Sequence, residues 1–207
     1  MKGEYQRKTT DNKKHIELFN RIAPVYRIFY PLQVLSYSKL LQVNRDLLAV
    51  HDGGRILDVG CGTGALTYSL KMMNFDVIGI DASPAMIEQA RRANRHAGIA
   101  FMVSDISGGF DFESKSFDLV IGSYIAHGLS EHDRIKLFKE SKRLAKEQII
   151  FHDFNQKRSI FIDFVEWLEG GDYFNFISTG SQEMEKIFSS VRVIEMGQFV
   201  SWYLCTP

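Results

Sequence analysis

The chain lacks the marks of several large protein classes. It has two cysteines in 207 residues, Cys61 and Cys205, far apart in sequence. That makes neither a disulfide framework nor a metal cluster, and it suits a reducing compartment. Lys+Arg and Asp+Glu are balanced at 25 each, so no charge excess calls for DNA or RNA as an obligatory partner. No apolar stretch approaches the ~20 residues of a membrane span. The first residues, "MKGEYQRKTTDNKK", have no apolar run behind them, so no signal peptide is expected and the expected location is the cytoplasm. There is no low-complexity segment and no internal repeat. The length is enough for one well-buried core and too short for two full-sized domains.

What is present is a change of period. A short helix is expected to start at Asp11 and stop before Pro24, with Ile16, Phe19 and Ile22 on one face. A second should follow Pro31, turn Leu32, Leu35, Leu40, Val43 and Leu47 inward, and end at Gly53-Gly54. From Arg55, "RILDVG", "DVIGI", "IAFMV", "FDLVIGS" and "QIIFHD" read as buried strands alternating with helices at 64–73, 84–97 and 131–145. Ser83-Pro84 is a helix start. This alternation implies an α/β, Rossmann-like, doubly wound sheet of mostly parallel strands with right-handed crossovers. A helix near 159–169 and another beginning with a capping box from Thr179 to Gln182 should follow. "VRVIEMG" and "QFVSWYLC" meet at Gly197 as a hairpin, which adds an antiparallel strand and makes seven. Residues 1–54 are expected as an N-terminal helical cap or lid and 55–207 as one compact unit. The arginines of "ARRANRH" fit a solvated helix face.

The first strand runs into "DVGCGTGALT". In an open parallel sheet, ligands bind beyond the carboxyl ends of the strands, where strand order reverses. Gly60, Gly62 and Gly64 leave backbone without Cβ atoms there, and the following helix offers unpaired N–H groups. No Gly-Lys-Ser/Thr closes the loop, so it is no Walker A motif. The last two glycines are too close for the dinucleotide fingerprint. That spacing, and Asp58 just ahead of the loop, favour a ligand without a pyrophosphate. Asp81 ends the next strand, where a carboxylate can accept from vicinal ribose hydroxyls, and Asp105 ends the third, where it can meet an exocyclic amine. Each acid alone could be a cap or turn residue. Asp58, Asp81 and Asp105 are spaced by 23 and 24 residues, about one β-α unit each, and should line one sheet edge.

"ILDVGCGTG", "VIGIDASPAMIEQAR", "FMVSDI" and "FDLVIGSYIAHGL" resemble the successive motifs of class I S-adenosylmethionine-dependent methyltransferases of the small-molecule type. The resemblance covers about residues 55–153. "LFNRIAPVYR" is similar to the leader of the ubiquinone/menaquinone C-methyltransferase type, too short a match to carry a quinone substrate. The resemblance implies S-adenosylmethionine as cofactor, with S-adenosylhomocysteine as product. It implies Gly60, Cys61 and Gly62 at the methionine part, although Cys61 read alone is filler between glycines, and Asp58 orienting the ammonium. Asp81 would hold the ribose beside Ala82, Met86 would pack near adenine, and Asp105 and Ile106 would meet the adenine amine. Ser123 would present a carbonyl to the ammonium, and Tyr26 would cover the sulfonium. One departure is "AKEQ", where the family commonly turns through Pro-Gly-Gly before the fifth strand.

A general base, if used, is His127 past the fourth strand or His152 at the end of the fifth. With His132 and Asp153 they show no compact metal-ligand spacing. "GSYIAH" lacks the Asn/Asp-Pro-Pro-Tyr/Phe signature of amino-group enzymes, no Pro-Cys pair marks a cytosine C5 enzyme, and no RNA-binding module fits. The aromatics Phe154, Phe161, Phe164, Trp167, Tyr173 and Phe174 suit either a cleft for a small apolar or aromatic acceptor or an ordinary core. A small-molecule methyltransferase leads. Modification of protein or tRNA, non-catalytic cofactor binding and nicotinamide redox chemistry stay open.

Overall fold

The computed structural model describes residues 2–169 and 171–207, and side chains for 16–164, 166 and 171–207. Its elements in chain order are α1 (Lys2–Val43), β1 (Arg55–Val59), α2 (Ala65–Met72), β2 (Asp76–Asp81), α3 (Pro84–Ala93), β3 (Ala100–Val103), β4 (Phe117–Ser123), α4 (Glu131–Leu144), β5 (Ala145–Phe154), α5 (Ile160–Glu169), α6 (Tyr173–Glu185), β6 (Ser190–Glu195) and β7 (Val200–Thr206). The seven strands lie in the order β3-β2-β1-β4-β5-β7-β6. β1 to β5 pair in parallel, and β7 runs antiparallel to both β5 and β6. This is the doubly wound, seven-stranded sheet with a C-terminal hairpin that the strand and helix alternation implies.

Period-two alternation splits the core between the two faces of the sheet. Ile56, Leu119, Ile121 and Ile150 pack with Leu41, Leu66, Leu70 and Trp202. Their neighbours Leu57, Val120, Ile149 and Phe151 pack with Leu137, Phe138, Tyr173, Phe176 and Met184. Strand order reverses between β1 and β4, so the loops after both strands open onto one place. Asp58 stands beside Gly79 of β2, and Asp81 beside Val103 of β3. The acids of three successive units therefore lie along one edge.

The N-terminal helices differ from expectation. One helix runs through Pro24 and Pro31, followed by a short 3-10 turn at Arg45–Leu47. An interior proline removes a hydrogen bond and crowds the preceding turn. Tertiary ties offset that cost. Asn20 Oδ1 accepts from Ser83 Oγ, Tyr30 donates to Asn94 Oδ1, and Ser38 donates to Ser69. Leu32, Leu35 and Val43 point outward. The inward face instead reads Tyr26, Tyr30, Gln33 and Tyr37, at helical spacing but polar and aromatic because this part lies over polar groups. Beyond it Leu40, as expected, and Leu41 meet the core.

Two further corrections concern α6 and the turn before β5. The stretch "YFNFIST" after the N-cap Asp172 is itself helical, so Thr179 sits mid-helix, its Oγ1 donating to Asn175 O and Glu183 Oε1. A Ser/Thr-x-x-Gln pattern marks a helix start only where the chain is not already helical. At "AKEQ" the chain passes from α4 straight into β5. The irregularity is absorbed by a register shift between Phe117 and Leu119 and by Lys115, whose ammonium donates to Ala145 O. Arg91, Arg92 and Arg95 are exposed, as expected of a solvated face.

Candidate active site

One cleft of about 380 Å³ lies over the carboxyl ends of β1, β2 and β4. Its floor is the loop after β1. Gly60 N and Cys61 N both donate to Ile80 O, and Gly64 N donates to Cys61 O. A Cβ on Gly62 would meet nothing within 4 Å, so its bare backbone faces open cleft. A Cβ on Gly64 would come within 2.8 Å of the Phe101 ring. That third glycine therefore serves packing against β3 rather than a ligand. Cys61 packs with Ile87, Ala90 and Phe101, and burial raises its thiol pKa well above the usual value. Its side chain is filler, as read from the sequence.

The acids differ in their surroundings. Asp58 is fully buried near the end of β1, and its Oδ2 accepts from Thr67 at 2.6 Å. Burial, with Asp81 nearby, pushes its pKa up to about 7 despite that hydrogen bond. Its Oδ1 has no hydrogen-bond partner among the described residues, although a buried carboxylate oxygen normally has one. Asp81 accepts from Gly62 N at 2.9 Å and Ser83 N at 2.8 Å, which ties the glycine loop to the start of α3. Each of its oxygens keeps a further lone pair for a ligand hydroxyl. Burial raises its pKa as well. Asp105 caps the 3-10 turn Ile106–Gly108 through Ser107 N and Oγ. Ala82, Met86 and Ile106 complete that wall. Tyr26 reaches the cleft from α1 and meets Phe19 edge-on, ring centroids 6.0 Å apart.

The other end of the cleft is walled by Tyr37, Ser123, Tyr124, His127, Phe154 and Glu166. Ser123 closes β4 and shares a hydrogen bond of 2.9 Å with the Tyr37 hydroxyl. Tyr124 follows with φ 51, a left-handed conformation rarely adopted by a bulky residue. Its ring stands edge-on to His127, His152 and Phe154. His127 Nδ1 lies 2.7 Å from Asp153 Oδ1, and Nε2 lies 3.5 Å from Glu166 Oε2. Behind them the buried Arg134 clamps Glu183 with two hydrogen bonds and holds Asp172 and Leu129 O, fixing the loop that carries His127.

Every cofactor position expected from the sequence lines this one cleft, and so does His127. His152 stands behind Tyr37 and Tyr124. Burial lowers its pKa to about 4, so the ring is neutral at physiological pH. Of the aromatics, Phe154 lines the cleft and Tyr173 is in the core. Phe161, Phe164 and Phe174 are exposed, and the Trp167 side chain lies outside the described residues. Tyr37, Thr67, Tyr124 and Glu166 escaped sequence reasoning. Thr67 has a local signal, one helical turn inside the helix that the glycine loop opens. Glu166 has none.

Residues 56–148 match the family model described as a methyltransferase domain. Over that segment the chain is similar to methyltransferase domains. The chain is 34% identical over 116 residues to a demethylmenaquinone methyltransferase of Tropheryma whipplei, a match that covers 55% of this chain and 48% of that one. It is 23% identical over 201 residues to a ubiquinone biosynthesis O-methyltransferase of Pelagibacter ubique, covering 90% and 82%. The chain thus spans about half the length of the demethylmenaquinone enzymes it matches. A putative S-adenosyl-L-methionine-dependent methyltransferase of Methanococcus maripaludis shares the fold with a TM-score of 0.70 at 18% identity, covering 90% and 92%. The cleft carries a donor set that fits S-adenosylmethionine. An unpaired buried carboxylate oxygen, an open glycine and a row of acids suit a cationic adenosyl compound.

Proposed function

We propose that the chain transfers the methyl group of S-adenosylmethionine to a small-molecule acceptor by in-line displacement. The observation that carries this reading is the unpartnered Asp58 Oδ1 in the same cleft as the open Gly62. In this reading Asp58 and the Ser123 carbonyl hold the cofactor ammonium, while the backbone of Gly60, Cys61 and Gly62 follows its methionine part. Asp81 and Ala82 take the ribose, Met86 and Ile106 flank the adenine, and Asp105 accepts from its amine. Tyr26 lies over the sulfonium, whose charge an aromatic face steadies. When bound, the cofactor supplies a methyl carbon that takes the acceptor's electron pair while sulfur keeps the bonding pair.

The chain's own contribution is placement, water exclusion and proton handling. Residues 1–54 act as the cap over the unit 55–207, since α1 lays Tyr26, Gln33 and Tyr37 into the cleft. His127 serves as the base and the neutral His152 as a supporting wall. Two buried free cysteines suit a cytoplasmic setting. Among the described residues no helix is long and apolar enough to cross a membrane.

Titration calorimetry with S-adenosylmethionine and S-adenosylhomocysteine tests the cofactor assignment, with binding of both expected. A folded protein that takes up neither overturns the reading. Transfer of a labelled methyl group separates an enzyme from a cofactor-binding protein without turnover.

A further inference from the structure

α1 is built inside out. Its inner side over residues 26–37 is polar and aromatic, whereas Val25, Ile28, Leu32 and Leu35 face outward, 52%, 73%, 65% and 68% exposed. Their alternating three- and four-residue spacing sets them in one stripe along the helix. A single exposed leucine is ordinary, but a contiguous apolar stripe marks a surface that meets something.

The charges around the stripe have one sign. Arg21 and Lys39 are exposed and stand 18 residues apart, about five turns, so they share its bearing and close it at both ends. Arg27 is exposed on the flank. Between Glu17 and Asp46 the chain has no acid. Arg21, Arg27 and Lys39 form no salt bridge among the described residues. Another exposed apolar group, Ile160, Phe161 and Phe164 of α5, lacks this pattern. The cations beside it are already paired, Lys157 with Glu195 and Arg158 with Asp163.

We infer that the outer face of α1 is a docking surface for an anionic lipid bilayer. The stripe sinks about 5–10 Å into the boundary between headgroups and acyl chains. The long stems of Arg21 and Lys39 let their charges reach headgroups while the stripe stays immersed, and the negative surface potential attracts all three cations. A second copy of the chain fits less well. Antiparallel pairing centred level with Tyr30 would set Val25 on Leu35 and Ile28 on Leu32, but also Arg21 on Lys39 at both ends. Parallel pairing would set each seam cation against its own copy, and like charges facing each other destabilise a helix pair. Anionic lipid neutralises those charges, and another α1 does not. The opposite side of the helix lays Tyr26 and Tyr37 into the cleft. A docked chain therefore holds the cleft one helix diameter, about 10 Å, from the lipid. Docking of this kind needs nothing of the cofactor, so it stands apart from the methyltransferase reading.

Flotation of the full chain with lipid vesicles tests the surface. Vesicles of equal parts phosphatidylcholine and phosphatidylglycerol should carry the protein at low salt, and vesicles of phosphatidylcholine alone should carry at least tenfold less. Leu32→Glu, at the centre of the stripe, should lower the partition coefficient at least tenfold. Arg21→Gln should lower it about fivefold and weaken its dependence on salt. An unchanged circular dichroism spectrum and urea midpoint report that each variant folds, with Ile28→Gln as replacement for a Leu32 variant that does not. Wild type that fails to float on the anionic vesicles overturns the inference. Equal flotation on both vesicle types does the same, as does a folded stripe variant that floats like wild type. So does a dimer, seen by sedimentation, that Leu32→Glu dissolves, because the stripe would then belong to a second copy.

Discussion

The end of the cleft proposed for the cofactor and the end proposed for the acceptor are assembled by different means. Asp58, Gly62, Asp81 and Ser83 belong to consecutive β-α units, and Asp81 is held by the backbone N–H groups of Gly62 and Ser83. Tyr37, Tyr124, His127, Asp153 and Glu166 come from α1, the loop after β4, β5 and α5, and meet through side chains. The first arrangement follows from the sheet itself. The second depends on how α1 and α5 fold back over it. Changes at the acceptor end should therefore separate chemistry from cofactor binding, and changes at the cofactor end should not.

The largest expected effect is that of His127→Ala. Loss of a general base costs about 10²–10⁴-fold in rate, so labelled methyl transfer should fall by that order. Calorimetric affinity for S-adenosylmethionine should stay within about twofold. Equal losses in both would merge the two ends into one unit. Next comes Glu183→Gln, which removes the carboxylate clamped by the buried Arg134. Arg134 keeps Asp172, so weakening its two charge-assisted bonds to Glu183 costs about 1.5–3 kcal/mol, read as a lower urea midpoint. An unchanged midpoint would mean that the loop carrying His127 does not lean on Arg134.

The same contrast explains what the sequence made legible. The parallel β-α units and the row of acids were readable because a period-two run, a glycine loop and one β-α unit of spacing are local patterns. Asp153 was visible at a strand end, but its bond to His127 was not. Glu166 was invisible, because an acid on an amphipathic helix usually faces water, and only the packing of α5 turns it inward. α1 misled for a related reason. Its apolar residues Leu32 and Leu35 recur at helical spacing, yet its cleft-facing side is Tyr26, Gln33 and Tyr37. Hydrophobic periodicity finds the face toward a core, not the face toward a polar cleft.

At the cofactor end, Asp81→Ala should weaken S-adenosylhomocysteine binding at least tenfold, since a ribose and Gly62 N both lose an acceptor. Unchanged affinity would remove the ribose from Asp81. A pH series sharpens the role of Asp58, whose carboxyl ionises near 7 in the fold and near 3.8 when free of it. Between those values the cofactor-free fold holds a proton that the unfolded chain has released. Its stability should therefore fall as pH rises from about 4 to about 7, relative to Asp58→Asn. A cofactor ammonium favours the ionised form, so affinity should climb by up to about tenfold from about pH 6 to about pH 8. Asp58→Asn should flatten that rise, and a slope that persists in the variant would place the titration elsewhere.

The smallest effect divides the glycine loop itself. Gly62 and Gly64 both hold left-handed φ values, 52 and 81, so alanine at either position carries about 1–2 kcal/mol of backbone strain. Beyond that shared cost their surroundings differ. A methyl at Gly64 meets the Phe101 ring at 2.8 Å and Asn94 Nδ2 at 2.9 Å, and Asn94 is tied to Tyr30 of α1. A methyl at Gly62 enters open cleft. Gly64→Ala should consequently be the less stable variant by about 1 kcal/mol, measured by urea unfolding without cofactor. Gly62→Ala should lose more of its affinity for S-adenosylhomocysteine, because its methyl occupies ligand space. Were the two variants to match in both measurements, the split between a packing glycine and a ligand glycine would fail, and with it the idea that this end of the cleft is read from backbone alone.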